Sequence, residues 1–259
     1  TPFPGNIIPA SMFNPVGVKV LSYAPLPNRT ALGNNYQATA DNKSDWDSFI
    51  GKVDHRFSER DSIAVRFGKR FGRSTAPWAG GNLGIFQNTV RDDRELGGVD
   101  YTHMFSPTML AEMRFGLSRN ASREKILSDG SDTAAEIGMQ GSTSDPLLRG
   151  LPRVNITNYL PIGYANNQPV QYFVTDWQWG GKLTWIEANH VLKMGLDYAR
   201  YQFNQPYFNN SRGSMTANGI WTGAGTAANG NAVADMLLGL LNASSITTQT
   251  SRNYMRQTG

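Results

Sequence analysis

The stretch FIGKVDHRFSERDSIAVRFGKRF, at residues 49–71, contains the pattern from which the fold can be predicted. Apolar Val53 and Phe57 alternate with polar Lys52 and Asp54, and the alternation resumes after the polar turn SERD. A period of two predicts β-strands that have one apolar and one polar face. The stretch therefore predicts a β-hairpin whose strands are each about ten residues long.

The same pattern recurs at 99–117, around the turn SPT. The segment HRFS at 55–58 corresponds to HMFS at 103–106, and RFG at 66–68 corresponds to RFG at 114–116. Both matches have an offset of 48 residues (103 − 55 and 114 − 66). Recurrence at a fixed offset predicts a repeated supersecondary unit, here a hairpin.

Further elements follow toward the C-terminus. A third, looser hairpin is predicted at 173–198, a seventh strand at 213–218 and an eighth near 244–250. Between the last two strands, the segment 231–241 predicts a short helix for which Asn231 is a suitable N-cap.

The predicted connections differ greatly in length. The short ones are at 58–61, 106–108 and 186–189, and the long ones are at 1–46, 72–92 and 120–171. A structureless loop of about 50 residues is unusual in a compact soluble domain. It is normal in a transmembrane β-barrel, which has short periplasmic turns and long extracellular loops.

Two environments are compatible with the apolar strand faces: a second sheet in a soluble sandwich, or lipid in an outer-membrane barrel. Strands of about ten residues match the length that crosses a bilayer at a tilt. Aromatic residues lie at both strand ends, as in the girdles of membrane barrels. Those at the short turns are Phe57, Phe105 and Trp185, and those toward the long loops are Phe71, Trp177, Tyr198 and Tyr201.

These observations predict an all-β fold: an antiparallel up-and-down transmembrane β-barrel segment of about eight strands. Residues 1–46 are predicted to be a long extracellular loop rich in Pro and Asn, and residues 47–259 part of the barrel. Since the chain has no initiator Met and ends without a finishing element, we expect it to be a piece of a longer protein.

The alternation assigns strand residues to two faces. The residues predicted to face lipid are Val53, Phe57, Val65, Phe67, Val99, Phe105, Met113, Phe115, Leu117, Trp179, Leu183, Trp185, Met194 and Leu196. Those predicted to face the lumen are Lys52, Asp54, Arg66, Asp100, Glu112, Arg114, Asp176 and Lys182.

Composition excludes several classes of protein. The chain has 24 Lys and Arg against 20 Asp and Glu, a net charge of +4 without a long basic run, which argues against a nucleic-acid partner. The absence of cysteine excludes a disulfide scaffold and a thiolate metal site. The longest apolar stretch, at 232–241, is shorter than the roughly 18 residues that a membrane helix needs.

The sequence contains no catalytic constellation. His55, His103 and His190 lie beside short turns in different hairpins without a metal-binding spacing, so an interfacial position is the favoured interpretation. The Asp residues at 41–47 are compatible with a surface Ca²⁺ site, but a solvated loop is favoured because an EF-hand's Gly and Glu are missing. We predict no cofactor, no metal and no enzymatic activity.

Aromatic residues in the long loops are candidates for ligand binding, since they stack on sugars and peptides. They are Trp78, Tyr159, Tyr164, Tyr207, Phe208 and Trp221. The alternative is that these rings pack the loops onto one another. For the whole chain, the alternatives are a surface adhesin or carbohydrate-binding β-sandwich module, and a secreted β-rich enzyme acting on polysaccharide.

The chain also resembles the Oar-like TonB-dependent receptors. The resembling segments are FPGNIIPAS at 3–11, FNPV at 13–16, YAPLPN at 23–28, GKVDHRFS at 51–58, HMFSP at 103–107, RFG at 114–116, LKMG at 192–195, RGS at 212–214 and ADMLLG at 234–239. They occur in order across nearly the whole chain. No single segment is a strong motif, but together they are quite specific.

The resemblance implies a transporter of the bacterial outer membrane: a 22-stranded barrel with an N-terminal plug, preceded by a carboxypeptidase-regulatory-like domain. This chain would then be an early part of the barrel wall, containing neither plug nor TonB box. The implied partners are outer-membrane lipid, a TonB–ExbB–ExbD complex that acts through other parts of the protein, and an extracellular ligand such as a sugar, a peptide or a metal chelate.

Overall fold

The computed structural model describes residues 3–77, 86–126, 131–206, 208–248 and 252–259. These residues form ten strands: β1 (Lys43–Arg56), β2 (Asp61–Ala76), β3 (Asn88–Ser106), β4 (Met109–Ile126), β5 (Arg153–Ile156), β6 (Gln171–Glu187), β7 (His190–Pro206), β8 (Ser214–Ala217), β9 (Ala243–Ser245) and β10 (Arg252–Thr258). Seven of them form one antiparallel sheet in the order β1-β2-β3-β4-β6-β7-β10.

The six long strands form the three predicted hairpins: β1 with β2, β3 with β4, and β6 with β7. They contain 14 to 19 residues each, more than the sequence predicts. Backbone pairing continues where the alternation of polarity stops, so parts of the predicted loops at 72–92 and 120–171 are strand. For the same reason β1 begins inside the predicted loop 1–46.

The predicted seventh strand and the start of the predicted eighth, at 244–245, lie outside the large sheet, and residues 249–250 of the eighth lie outside the described residues. Within the predicted range 213–218, β8 forms with β5 and β9 a separate sheet in the order β5-β8-β9. The seventh strand of the large sheet is instead β10, which pairs with β7. With four residues, β8 is too short to cross a bilayer, which takes about nine.

The register of the large sheet groups side chains by face, because directly opposed residues of antiparallel strands point to the same side. We call a row of directly opposed residues across the strands a rung. One rung contains Val53, Val65, Val99, Phe115, Trp179 and Tyr198, from six strands. The next rung carries Asp54, Asp100, Arg114 and Asp197 on the opposite side. The paired residues assigned to lipid therefore share one face, called here the apolar face, and those assigned to the lumen share the other, the polar face. Phe57, beyond β1, and Phe105, at a register shift of β3, are not placed by the pairing.

The long connections all leave the same end of the large sheet, because the short turns join the strands at the other end. Their described parts, at 3–42, 131–170 and 208–248, form what we call the loop layer. It contains the small sheet and the helices α1 (Pro15–Leu21), α2 (Thr133–Glu136) and α3 (Ala232–Leu237). No helix in the described part of the chain has the length and apolar character needed to cross a membrane.

The loop layer has its own hydrophobic core. Val20 of α1, Val154 of β5 and Met236 of α3 are buried together with Leu151 and Ile162. The backbone of α1 lies so close to α3 that a Cβ at Gly17 would come within 2.1 Å of the Met236 carbonyl oxygen. The loop layer is therefore packed and folded rather than structureless.

The helix predicted at 231–241 is α3, and it begins where the sequence indicates. The Asn231 side chain accepts hydrogen bonds from the amides of Val233 and Ala234, as predicted for an N-cap. The helix ends earlier than predicted because Gly239 adopts a φ of 72°. The amide of Leu240 then donates to the Asp235 carbonyl over 2.9 Å, the pattern of a Schellman C-cap.

Asn14 caps α1 in the same way, with its Oδ1 accepting from the amides of Val16 at 2.9 Å and Gly17 at 3.1 Å. We expect Asn14→Ala to destabilise this part of the loop layer by about 1 kcal/mol, because these two amides lose their acceptor. Hydrogen exchange of the α1 amides should accelerate accordingly. Ser11→Ala, in the exposed turn before the helix, should leave that exchange unchanged; equal exchange in both variants would contradict the capping role.

Candidate functional site

The apolar face of the large sheet is exposed in the isolated chain. Val53 is 67% exposed and Leu196 is 75% exposed, although both lie within long, well-paired strands. Along β4, the apolar positions run from Met109 to Leu117, about nine residues, which matches a bilayer crossing. A continuous apolar surface of this extent requires an apolar environment. We call this surface, from the short turns up to the level of Leu117, the apolar band.

Aromatic residues border the apolar band at the short turns. The two hairpins that repeat in sequence have the same ring contact here. The ring of His55 packs edge-on against that of Phe57, with the centroids 4.6 Å apart, and the ring of His103 packs in the same way against that of Phe105 at 4.4 Å. His103 Nδ1 also lies 2.6 Å from a carboxylate oxygen of Asp61. Both histidines therefore lie beside the short turns, at the border of the apolar band. In the described part of the chain, no three metal-ligating side chains come together.

At the other border, the aromatic residues divide between the faces. Trp177 and Tyr198 lie on the apolar face, and Trp179 contacts Tyr198 with the ring centroids 5.4 Å apart. Tyr201 is directly opposite Asp176 and therefore lies on the polar face. The prediction that it belongs to the outward girdle is wrong, because β7 pairs with β6 without a register shift up to Asn204.

The polar face carries ion pairs between strands. Arg66 Nη2 lies 2.7 Å from Asp100 Oδ2, and Lys182 Nζ lies 3.1 Å from Glu112 Oε2. Within β1, Lys52 and Asp54 pair at 2.8 Å. All these side chains are about half exposed, so each pair contributes little to stability. Together they place fixed charges of both signs on the polar face.

One ion pair spans an intervening strand. Arg114 of β4 reaches across β6 to Asp197 of β7, with Nη2 and Oδ1 2.6 Å apart. The strand between them has Gly180 at this rung, where a Cβ would lie 2.4 Å from the Arg114 Nε. A glycine here leaves room for the arginine to lie flat along the polar face.

The four predicted ligand-binding aromatics that the structure describes do not converge on one site. Tyr159 is exposed and lines a groove of 1110 Å³ that Tyr36 and Asn158 also line. Phe208 lines a different groove of 730 Å³, bordered by Ser211 and Thr247. Trp78 and Tyr207 lie outside the described residues.

The other two predicted aromatics have structural contacts within the loop layer. Tyr164 is buried, with its ring packed edge-on against Phe86 at 5.2 Å. Trp221 is exposed, but its indole N–H donates to the Leu241 carbonyl oxygen over 3.1 Å. For Tyr164 the burial agrees with loop packing, the alternative interpretation of these rings.

A buried polar cluster joins the loop layer to the end of β4. The carboxylate of Glu124 accepts hydrogen bonds from Asn88, Gln168 and the amide of Val170. Arg212 donates to the carbonyl oxygens of Gln168 at 2.6 Å and of Ala165 at 3.1 Å. Burial lowers the pKa of Arg212 to about 10, so its guanidinium stays protonated at neutral pH. Sequence reasoning missed this cluster, because its members are far apart in the chain.

Comparison with known proteins agrees with this two-faced sheet. The model of a family described as an outer membrane beta barrel domain matches residues 1–259. No curated protein and no solved structure matches the chain. The family match places the protein in the bacterial outer membrane, with lipid as its surroundings.

Proposed function

Because the chain belongs to the outer membrane β-barrel domain family, we propose that it forms part of the wall of a TonB-dependent transporter similar to the Oar-like receptors. Its loop layer would capture a ligand outside the cell, and the barrel, gated by a plug, would pass that ligand inward. The proposed activity is binding and passage rather than catalysis. The ligand class is a sugar, a peptide or a metal chelate.

The main support for the proposal is that the large sheet is open at both edges. Its edge strands, β1 and β10, have no further partner strand among the described residues. Lipid does not tolerate an open sheet edge, so the wall must be completed by additional strands. A barrel of many more than seven strands has a wide lumen, and such lumens are water-filled or plugged. The ion pairs of the polar face, such as Arg66 with Asp100, suit a hydrated lumen wall.

The loop layer supports ligand capture outside the cell. Long connections on one end and short turns on the other are the arrangement of outer-membrane barrels, in which the long side is extracellular. The groove beside Tyr159 has a volume slightly above the usual range of small-molecule sites and combines an exposed ring with the amide of Asn158. Aromatic and amide groups together are the usual means of binding sugars and peptides.

Energy coupling would come from partners outside this chain. In the transporters that the chain resembles, a TonB–ExbB–ExbD complex acts on the plug and the TonB box. The full-length protein should therefore bind the purified periplasmic domain of TonB from its own organism, measured by calorimetry. The same protein without its segments before the barrel should not bind. Absence of binding by the full-length protein would contradict the transporter proposal and favour an adhesin.

A further inference from the structure

The apolar face continues beyond the apolar band as a charged surface. Along β4, Leu117 is followed on the same face by Arg119, Ala121 and Arg123. The pairing of β4 with β3 shows no register shift between Asn88 and Met104, so these side chains point to the same side as the apolar band. The charged residues thus lie directly beyond the hydrocarbon level rather than in the lumen.

Six charged side chains from three strands surround a shallow cavity of about 200 Å³ on this surface. We call them the outward charge cluster: Lys69, Arg91, Asp93, Glu95, Arg119 and Arg123. Four cations against two anions give a net charge of +2. The cluster therefore attracts anions at a fixed height above the apolar band.

The ion pairs within the cluster do not neutralise all of its positive charge. Lys69 pairs with Glu95 at 2.9 Å, while Arg91 and Arg123 share the single carboxylate of Asp93 at 3.2 Å and 2.9 Å. Arg119 has no ion-pair partner in the described part of the chain, and it is exposed. Because two guanidinium groups share one carboxylate, and the Arg119 guanidinium has no ion-pair partner among the described residues, N–H donors remain available for an anionic ligand.

The height of the cluster above the apolar band indicates which kind of anion it binds. Arg119 lies two residues beyond Leu117, which is about 7 Å along the strand, and Arg123 about 20 Å beyond it. A strand tilt of about 40° reduces these distances to roughly three quarters in height. This interval is occupied by lipid headgroups, and arginine binds phosphate through paired N–H donors.

We propose that the outward charge cluster binds a phosphate-bearing lipid headgroup of the outer leaflet. The proposal rests on the orientation given above, with the loop layer outside the cell. It does not depend on transport, since the cluster lies on the outside of the wall. Arg119 and Arg123 provide the phosphate contacts, and Phe173, whose ring lies 5.1 Å from the Arg123 guanidinium, holds that side chain over the cavity.

The test uses the full-length protein in nanodiscs of neutral lipid, with diphosphoryl lipid A added as the probe and bound lipid counted by native mass spectrometry. The variant is R119Q/R123Q. Its matched control is R70Q/R94Q, which removes the same charge from the polar face of the neighbouring strands, where these two residues are directly opposed. Folding of each variant is verified by the shift in gel mobility on heating.

We expect the dissociation constant for lipid A to rise by about tenfold or more in R119Q/R123Q, and to stay within about twofold in R70Q/R94Q. Lipid A from which both phosphates have been removed should bind all the folded proteins equally weakly. R119K/R123K should recover part of the affinity, because the charge remains but the paired donors do not. Unchanged binding in R119Q/R123Q, or equal loss in both double variants, would overturn the proposal.

Discussion

Phe115→Arg should prevent most of the protein from assembling in the membrane. Phe115 lies within the apolar band, between Val99 and Trp179 on one rung, and its ring is 5.4 Å from the Trp179 ring. A cation on the lipid face costs about 2–4 kcal/mol at the bilayer midplane and less toward the interfaces, and Phe115 lies between the middle of the apolar band and its border at Leu117. The folded fraction after refolding into lipid vesicles, measured against urea, reports this loss directly.

The matched control is the adjacent residue. Arg114→Ala changes a side chain on the polar face and removes the 2.6 Å contact with Asp197. Both partners are well exposed, so the change in folding free energy should stay below about 1 kcal/mol. Equal folding of the two variants would show that the assignment of the faces is wrong.

Asp235→Ala should unfold a large part of the loop layer while the large sheet persists. Asp235 of α3 is fully buried, and its carboxylate accepts the amides of Thr222 at 2.8 Å and Trp221 at 3.3 Å. Each buried amide that loses its acceptor costs about 1–3 kcal/mol, so the two together cost about 2–6 kcal/mol. Proteolysis of the folded protein should then cleave within 208–248 at a much higher rate.

Asp132→Ala is the control within the same layer. Asp132 accepts the amide of Ala135 at 3.1 Å as the N-cap of α2, but it does so at the surface. Its loss should cost about 1 kcal/mol and leave the cleavage rate within 208–248 unchanged. If Asp235→Ala were cleaved no faster than Asp132→Ala, the buried carboxylate would not be what holds this loop.

The three hairpins were predictable because polarity alternates within each strand. The segments at 49–71 and 99–117 specify strand, turn and face together, since a one-residue slip in register would move every apolar side chain to the wrong face. The order of the strands, and which strands form the edges of the sheet, were harder to predict from the sequence. The short alternation at 213–218 has the same local signal as a wall strand, and only its length and its pairing with β5 show that β8 belongs to another sheet.

The outward charge cluster was not predictable for a related reason. Charged residues in a barrel strand are expected to face the lumen, and Arg91 and Arg123 fall in segments that were predicted to be loops. In the structure β3 and β4 remain paired beyond the apolar band, so side chains of the apolar face continue past Leu117. Likewise, burial of Tyr164 depends on its contact with Phe86, a residue far away in the chain.

In the proposed arrangement, the apolar face of the large sheet meets lipid and the polar face meets water. Since the chain has no cysteine, Met113→Cys and Glu112→Cys each provide a unique site for a nitroxide label at neighbouring positions of β4. Their collision rates with oxygen, which dissolves in lipid, and with a water-soluble nickel chelate can be measured in bilayers by electron paramagnetic resonance. We expect the label at 113 to collide mainly with oxygen and the label at 112 mainly with the chelate. Equal exposure of both labels to the chelate, or the reverse order, would contradict this assignment of the two faces.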